Sequence, residues 1–557
     1  MDKKWPSLLL VILLLLTIVS TQSTGNIPFS GEHTQVVHQS SKSQPQEPLW
    51  SRSLGNPDPG ICEEGYSLVE CADNGFAIAG VNYTGANWDE DVLLIRTDSQ
   101  GNLLWSNHYG IPDIFEVEVG LSLVECYDGG FAIAGILSNL TSDYMLLIRT
   151  NTDGALRWMK VFGNSTASDY GLSVVECGDH GFAVAGTTFN FGAENGDFWV
   201  VRTDVQGNLL WDTMIGGSEI EFGWAITECT SDSGFAITGH REQGGFYDVQ
   251  LVRINSTGGH MWTRYYDNKN YDYSESIIEC TNGDLAIVGY TCDVLYEAWF
   301  QPWLLRTDTT GQPLWNHSYP EAIGGLGTSV VEYSGGGFAI TASTTGIGVN
   351  KNAWLIRTND TGHQEQLQVY GFYDQAQAFS LTECSAGGLA FTGYINRTAS
   401  MPGRDVWLVR LPDDVPPTWV DPPTDQVVGF GLPFSCQLTA QDPQGLDTWQ
   451  IIESPLFSVD DSGVITNTQP LALGIHGVRV MVKDSYGNEL VGIFNVIVTL
   501  TPMKLAIMLG IAGITLALLV VAVKVGIIRP ERKRRLLCIV GVLLLIALCM
   551  IFFFLPA

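Results

Sequence analysis

VECYDGGFAIAG, residues 124–135, decides the fold. Relatives of it recur along the chain: VECADNGFAIAG from Val69, VECGDHGFAVAG from Val175, TECTSDSGFAITG from Thr227, IECTNGDLAIVG from Ile278, VEYSGGGFAITA from Val331 and TECSAGGLAFTG from Thr382. Seven copies at a period of about fifty residues mark a repeat architecture, in which each unit buries its apolar face against its neighbours.

Outward from the motif, each unit holds four β-like runs separated by turn residues. In the unit from Gly120 these are GLSLVEC, FAIAGIL, DYMLLIRT and ALRWMKVFG, with YDGG and NTDG as the tight turns. Four short strands per unit predict the blade of a β-propeller. The fourth run carries Trp105, Trp158, Trp211, Trp262 and Trp315, with Gln366 in the sixth unit. The seventh unit has no fourth run, yet an orphan one, PLWSRSLG at 48–55, precedes the first unit. The expected fold is therefore all-β: a seven-bladed β-propeller over 48–412, closed by its N-terminal strand so that no sheet edge is left open at the junction.

Two charged series run through the units. Glu70, Glu125, Glu176, Glu228, Glu279, Glu332 and Glu383 end the first strand; Arg96, Arg149, Arg202, Arg253, Arg306, Arg357 and Arg410 end the third. Strands lie ~4.8 Å apart, so a Glu and an Arg two strands apart can meet across the intervening alanine (Ala132 in the second unit). One structural Glu–Arg bridge per blade is expected, in preference to a carboxylate ring holding a cation. The first–second and third–fourth turns share one face and are short. The second–third loops and the inter-unit connections share the other, vary in length and are rich in aromatics. Variable insertions on one face mark the binding face of a repeat protein. Its candidates are Trp88, Phe189, Phe191, Tyr271, Tyr273, Tyr296, Trp299 and Phe300.

The formal charge of the 557 residues is −31. The first four residues carry +1 and those from Met503 onward +6, so the segment between carries −38. Such a surface argues against nucleic acid and anionic lipid as partners and is compatible with cations, cationic partners or simple solubility in a salty exterior. Residues 1–24 have the basic start and apolar run of a signal peptide, and 25–47 read as a flexible spacer. At the other end 503–528 and 536–557 are long enough to cross a ~30 Å hydrocarbon core as helices. The basic loop 529–535 between them is expected in the cytoplasm, with the large N-terminal part outside the cell membrane. Six of eleven cysteines (Cys71, Cys126, Cys177, Cys229, Cys280, Cys384) hold one repeat position and read as small buried apolar groups.

The run RTDxxGNxLW (96–105 and 202–211) resembles the tryptophan-docking repeats of quinone-dependent propellers and the Asp-box turn of sialidases. That likeness implies the propeller fold alone, since neither an adjacent cysteine pair nor an arginine triad is found. From residue 415 the pattern AxDPxG, DxSGVI and a final pair of alternating strands resembles the cadherin-like and immunoglobulin-like domains of prokaryotic surface proteins, which implies a β-sandwich over 415–501. The whole layout looks like a cell-surface protein of an archaeon or bacterium.

No catalytic constellation, metal spacing or cofactor motif breaks the repeat symmetry: the nine His are scattered, and no nucleophile motif or phosphate-binding loop occurs. The expected function is a membrane-anchored extracellular recognition or adhesion protein that binds a glycan or a protein through its variable loops, without cofactor. A partner subunit in the membrane is compatible with the short basic loop. The alternatives are an extracellular propeller enzyme (glycosidase, lyase or dehydrogenase) and a structural component of the cell envelope.

Overall fold

In a computed structural model of the chain, each copy of the motif forms a β-hairpin that two further strands extend. In the second repeat Val117–Glu125 pairs antiparallel with Phe131–Ser138, then Asp143–Thr150, then Leu156–Phe162. The structure describes residues 48–500 except 57, 59–60, 85–88, 112–116, 140, 166, 191–194, 294–299, 323, 334–336, 345–351, 372–374, 397–402, 413–416, 443–444, 453 and 485–488, together with Gly510 and Ile514. Phe131–Ser138 is buried along its whole length, which is why FAIAG reads as a continuous apolar run. Leu156–Phe162 holds only half-buried and exposed residues, as an outer strand does.

One feature of the first strand shapes every repeat. The register slips by one residue at Tyr66, Leu121, Leu172, Trp224, Glu275, Thr328 and Phe379, a β-bulge at the same place in all seven. The bulge pushes the preceding carbonyl toward the second strand, where a Cβ on Gly135 would lie 1.9 Å from the Val119 oxygen. That close approach is the reason the motif ends in glycine.

Repeats are joined by side chains. The Trp105 ring lies over Gly154 in the third–fourth turn of the next repeat and sits edge-on to Phe131, with centroids 6.1 Å apart. Ser67 Oγ accepts the Leu123 N–H at 3.0 Å, and Ser122 Oγ the Val174 N–H at 3.1 Å. The first and last repeats meet in the same way: Leu68, Ile78, Cys384 and Val406 share one core cluster, and Ser380 Oγ accepts the Leu68 N–H at 3.1 Å.

The sheets themselves are open. Repeats one and two form an eight-stranded sheet through a parallel contact between Glu90 and Val117; repeats four and five form another through Tyr247 and Tyr271. Repeats three and six stay four-stranded, and Trp50–Leu54 is the edge strand on Arg404–Arg410 of the seventh. Among the described residues no sheet closes on itself, so the closed seven-bladed propeller expected from the sequence is corrected to a series of open repeat sheets. The physical reason is that strand pairing between repeats is limited to single parallel contacts at Glu90–Val117 and Tyr247–Tyr271, and side-chain packing joins the other repeats.

The chain divides into two compact units at Asp413 and Asp414. The second unit holds three small sheets: Thr418–Asp421 with Thr439–Gln441; Gln426–Gly429, Glu489–Thr499, Gly474–Asp484 and Leu446–Ile452; and Ser435–Gln437, Val464–Asn467 and Phe457–Val459. Phe434, Phe457, Ile465, Val480, Phe494 and Val496 form its core. No helix among the described residues is long and apolar enough to cross a membrane. The expected pair of spanning helices, and the membrane localisation built on it, is corrected on that finding. Residues 503–528 and 536–557, apart from Gly510 and Ile514, lie outside the described residues, as do the basic loop, the signal segment and the spacer.

Candidate functional site

In the first five repeats the arginines form ion pairs with acids other than the first-strand glutamates. In repeats one to five the Arg meets an Asp in the first–second turn of its own repeat: Arg96 with Asp73, Arg149 with Asp128, Arg202 with Asp179, Arg253 with Asp232, and Arg306 with Asp284 at 3.1 Å. Arg149 is buried and also donates to the Phe131 and Thr150 carbonyls. Burial alone would raise the Asp128 carboxyl; the Arg149 guanidinium and the Gly130 N–H outweigh it and bring the pKa down to about 2. In repeats six and seven the turns SGGG and SAGG lack the Asp, and Arg357 turns to Gln366 Oε1 at 3.4 Å, Arg410 to the Gly387 carbonyl.

Each Glu reaches backward instead. Glu125 accepts the N–H of Ala72 at 2.9 Å, Glu176 that of Tyr127, Glu279 that of Thr230, and Glu332 that of Thr281. Glu228 takes the Gly178 N–H, and Glu70 of the first repeat takes that of Ser385 in the seventh at 2.6 Å. Glu383 is also engaged. The expected Glu–Arg bridge is therefore corrected to two linkages, one within the repeat and one between repeats. The turn Asp lies nearer the Arg than the first-strand Glu does, and the Glu side chain projects toward its neighbour. The repeat-locked cysteines between them are free and buried, and burial pushes the Cys126 thiol up to about 12.

A third acidic series escaped the sequence reading. Glu63, Glu118, Asp169, Glu221 and Asp272 stand two residues before the Gly or Ser that precedes the bulge, and all five are buried. They hold the connection entering each repeat: Glu63 accepts the Asn56 N–H at 2.6 Å, Glu118 that of Ile111 at 3.0 Å, and Asp272 those of Asn268 and Lys269 at 2.7 and 2.9 Å. The signal was present as an acid at constant spacing. It was masked by the abundance of acids elsewhere.

Of the eight loop-face candidates, Trp88, Phe191, Tyr296 and Trp299 lie outside the described residues. The other four fall into one continuous run of ring contacts. Phe189 lies 6.1 Å from Tyr170 and 6.0 Å from Phe222; Phe222 lies 5.2 Å from His240, and His240 5.0 Å from Tyr273. Tyr273 stacks on Tyr247 at 5.1 Å and on Tyr290 at 4.8 Å; Tyr290 meets Phe300 at 5.0 Å, and Tyr271 meets Phe246 at 5.7 Å. Tyr271, Tyr273 and Phe222 are half-buried, so the run is reached from outside, whereas Phe300 is buried. Burial drives His240 down to about 3, so its imidazole is neutral, and its Nδ1 has no hydrogen-bond partner among the described residues. Glu275, the bulge residue of the fifth repeat, faces the Trp224 indole N–H and the Tyr290 hydroxyl, and burial pushes its carboxyl up to about 8.

A second polar cluster lies where the first and last repeats meet. Buried Glu64 forms an ion pair with Arg404 and accepts the Tyr66 hydroxyl at 2.9 Å; Tyr83 Oη lies 3.4 Å from Tyr66 Oη. Arg404 lies 4.4 Å over the Tyr394 ring. Glu90 is raised to about 7, first by burial and then by the Glu64 charge.

No family model matches the chain, and no curated protein matches it. Among solved structures, the chain is similar to a protein of unknown function from Dyadobacter fermentans, with 10% identity, coverage of 66% of this chain and 99% of that one, and a TM-score of 0.40. It is also similar to Sqt1 from Chaetomium thermophilum, with 12% identity, coverage of 62% and 84%, and a TM-score of 0.37. Neither likeness bears on fold or function.

Proposed function

We propose that the chain is a recognition protein whose repeat unit binds a glycan or a protein at the aromatic run of repeats three to five. The observation that supports this is the ring-to-ring continuity of Phe189, Phe222, His240, Tyr273, Tyr290 and Phe300, of which Phe189, Phe222 and Tyr273 are half-buried and partly open to solvent. Amphipathic rings held rigidly by stacking offer large contact area at low entropic cost, as binding surfaces require. A glycan and protein array tests it: the full-length chain binds a ligand saturably, and a Tyr271→Ala, Tyr273→Ala variant that keeps its thermal unfolding midpoint within a few degrees loses that binding. Equal binding by both forms removes the assignment.

A second reading, an enzyme, is favoured by the Glu64–Arg404 cluster. It sets Glu64, ion-paired with Arg404, near Glu90, whose carboxyl burial and the Glu64 charge raise to about 7, a range that suits a general acid or base. Turnover of a glycan substrate that Glu90→Gln abolishes is the result that would replace recognition with catalysis.

A further inference from the structure

Several deep carboxylates of this molecule are answered by a cation or by backbone N–H donors, and Glu275 is one that, among the described residues, has neither. Asp128 has Arg149, Glu64 has Arg404, Asp272 has two backbone N–H groups and the Thr291 hydroxyl. Glu275 has no ion pair and no backbone N–H partner among the described residues. It is also the one charged residue at the seven bulge positions, where the others are Tyr66, Leu121, Leu172, Trp224, Thr328 and Phe379. Around it stand the Trp224 indole, Tyr290, and Tyr273 stacked on Tyr290. His240, with its unpartnered Nδ1, lies 6.1 Å from the Trp224 ring and 5.0 Å from Tyr273, both centroid to centroid. Glu275 and Trp224 remain partly exposed, so a ligand can reach them.

A carboxylate held among rings by one indole N–H and one hydroxyl, with no cation beside it, is costly to ionise, and a cation that enters next to it lowers that cost. Ring faces add their own attraction for a cation, strongest for tryptophan. The formal charge of −31 raises the concentration of cations near the whole surface. We propose that Glu275, with Trp224, Tyr273 and Tyr290, binds an alkylammonium group, either the primary amine of a lysine side chain or a quaternary amine of the choline type. This rests on the recognition reading and names the chemistry at one end of the same aromatic run.

The titratable groups facing Glu275 and its rings are His240, Tyr247, Tyr273, Tyr290 and Cys292, with Glu242 beside Tyr247. His240 is held neutral, and burial holds the Tyr247, Tyr273 and Tyr290 hydroxyls protonated. The charge that changes between pH 6 and 9 is therefore that of Glu275, pushed up to about 8 by burial.

The test is calorimetric titration of the full-length chain with tetramethylammonium and, separately, n-butylammonium, against sodium at equal ionic strength. Saturable binding of at least one is expected, tightening at least tenfold from pH 6 to 9 as the carboxyl ionises. The tighter of the two tells a quaternary from a primary amine. Glu275→Gln, which removes charge and keeps shape, is expected to weaken binding at least tenfold without lowering the unfolding midpoint. Trp224→Leu, which leaves the carboxyl in place, is expected to weaken it several-fold. No saturable binding of either cation, or unchanged affinity in Glu275→Gln, overturns the proposal. A neutral ligand from the array that wild type and Glu275→Gln bind alike, with neither cation bound, overturns it while the recognition reading stands.

Discussion

At the scale of the residue, the Arg–Asp pair does more than the Glu series that shares its rhythm. Arg149 is buried under three acceptors, and Asp128 supplies the negative charge among them. Asp128→Ala leaves that guanidinium uncompensated, and a loss on the order of 3 kcal/mol is expected in denaturant unfolding. Asp73 pairs with Arg96 in the same way but is largely exposed, so Asp73→Ala is expected to cost much less. The repeated Glu and Arg were legible in the sequence as positions; their partners were not. The Glu partner is a backbone N–H in the preceding repeat, about fifty residues away, and nothing in a one-dimensional period says across which side a side chain reaches. The cysteines were legible because a small apolar side chain at a fixed position has few roles, and they are free and buried.

At the scale of the element, the bulge explains residues that strand alternation leaves unexplained. One extra residue in the first strand forces the carbonyl of Val119 against Gly135, and the same contact recurs at Gly80, Gly186, Gly239, Gly289 and Gly393. Gly135→Ala has no room for its methyl and is expected to lower the unfolding free energy by about 3 kcal/mol or to prevent folding. Gly178→Ala, with nothing within 4 Å of the added Cβ, is the matched control and is expected to be near neutral in the same thermal melt. The four-strand unit was legible from alternation and turn residues. The bulge was not, because an inserted residue changes neither composition nor turn chemistry. It surfaces only as a shift between facing strands, and it is what aims Glu275 and Trp224 at the aromatic run.

At the scale of the whole molecule, the count of repeats and the pairing of Trp50–Leu54 with the seventh unit could be read from the orphan run at 48–55. The openness of the sheets could not, because hydrogen-bond ladders between repeats depend on how far adjoining strands splay. Acidity has a global consequence. Glu90 and Glu221 are raised from an ordinary 4.5 to about 7, and Asp272 from 3.8 to about 6, in each case first by burial. The folded state holds these protons where the unfolded chain has released them, so stability is present below about pH 4 to 4.5 for these groups and falls as pH rises through 6 to 7. Asp128 acts oppositely: its contribution is full above about pH 4 and is lost as pH falls toward 2. Together they place the maximum of the melting temperature near pH 4 to 5, with a decline toward pH 8. Differential scanning calorimetry across pH 3 to 9 checks this, and Glu90→Gln flattens the decline.

The most direct measurement of the central claim is hydrogen–deuterium exchange of the full-length chain with and without the ligand returned by the array. Recognition at the aromatic run predicts protection concentrated in 240–248, 267–275 and 289–303. Protection confined to the short turns at 126–130 and 151–155, on the other side of the repeats, or an array on which the chain binds nothing, would contradict it.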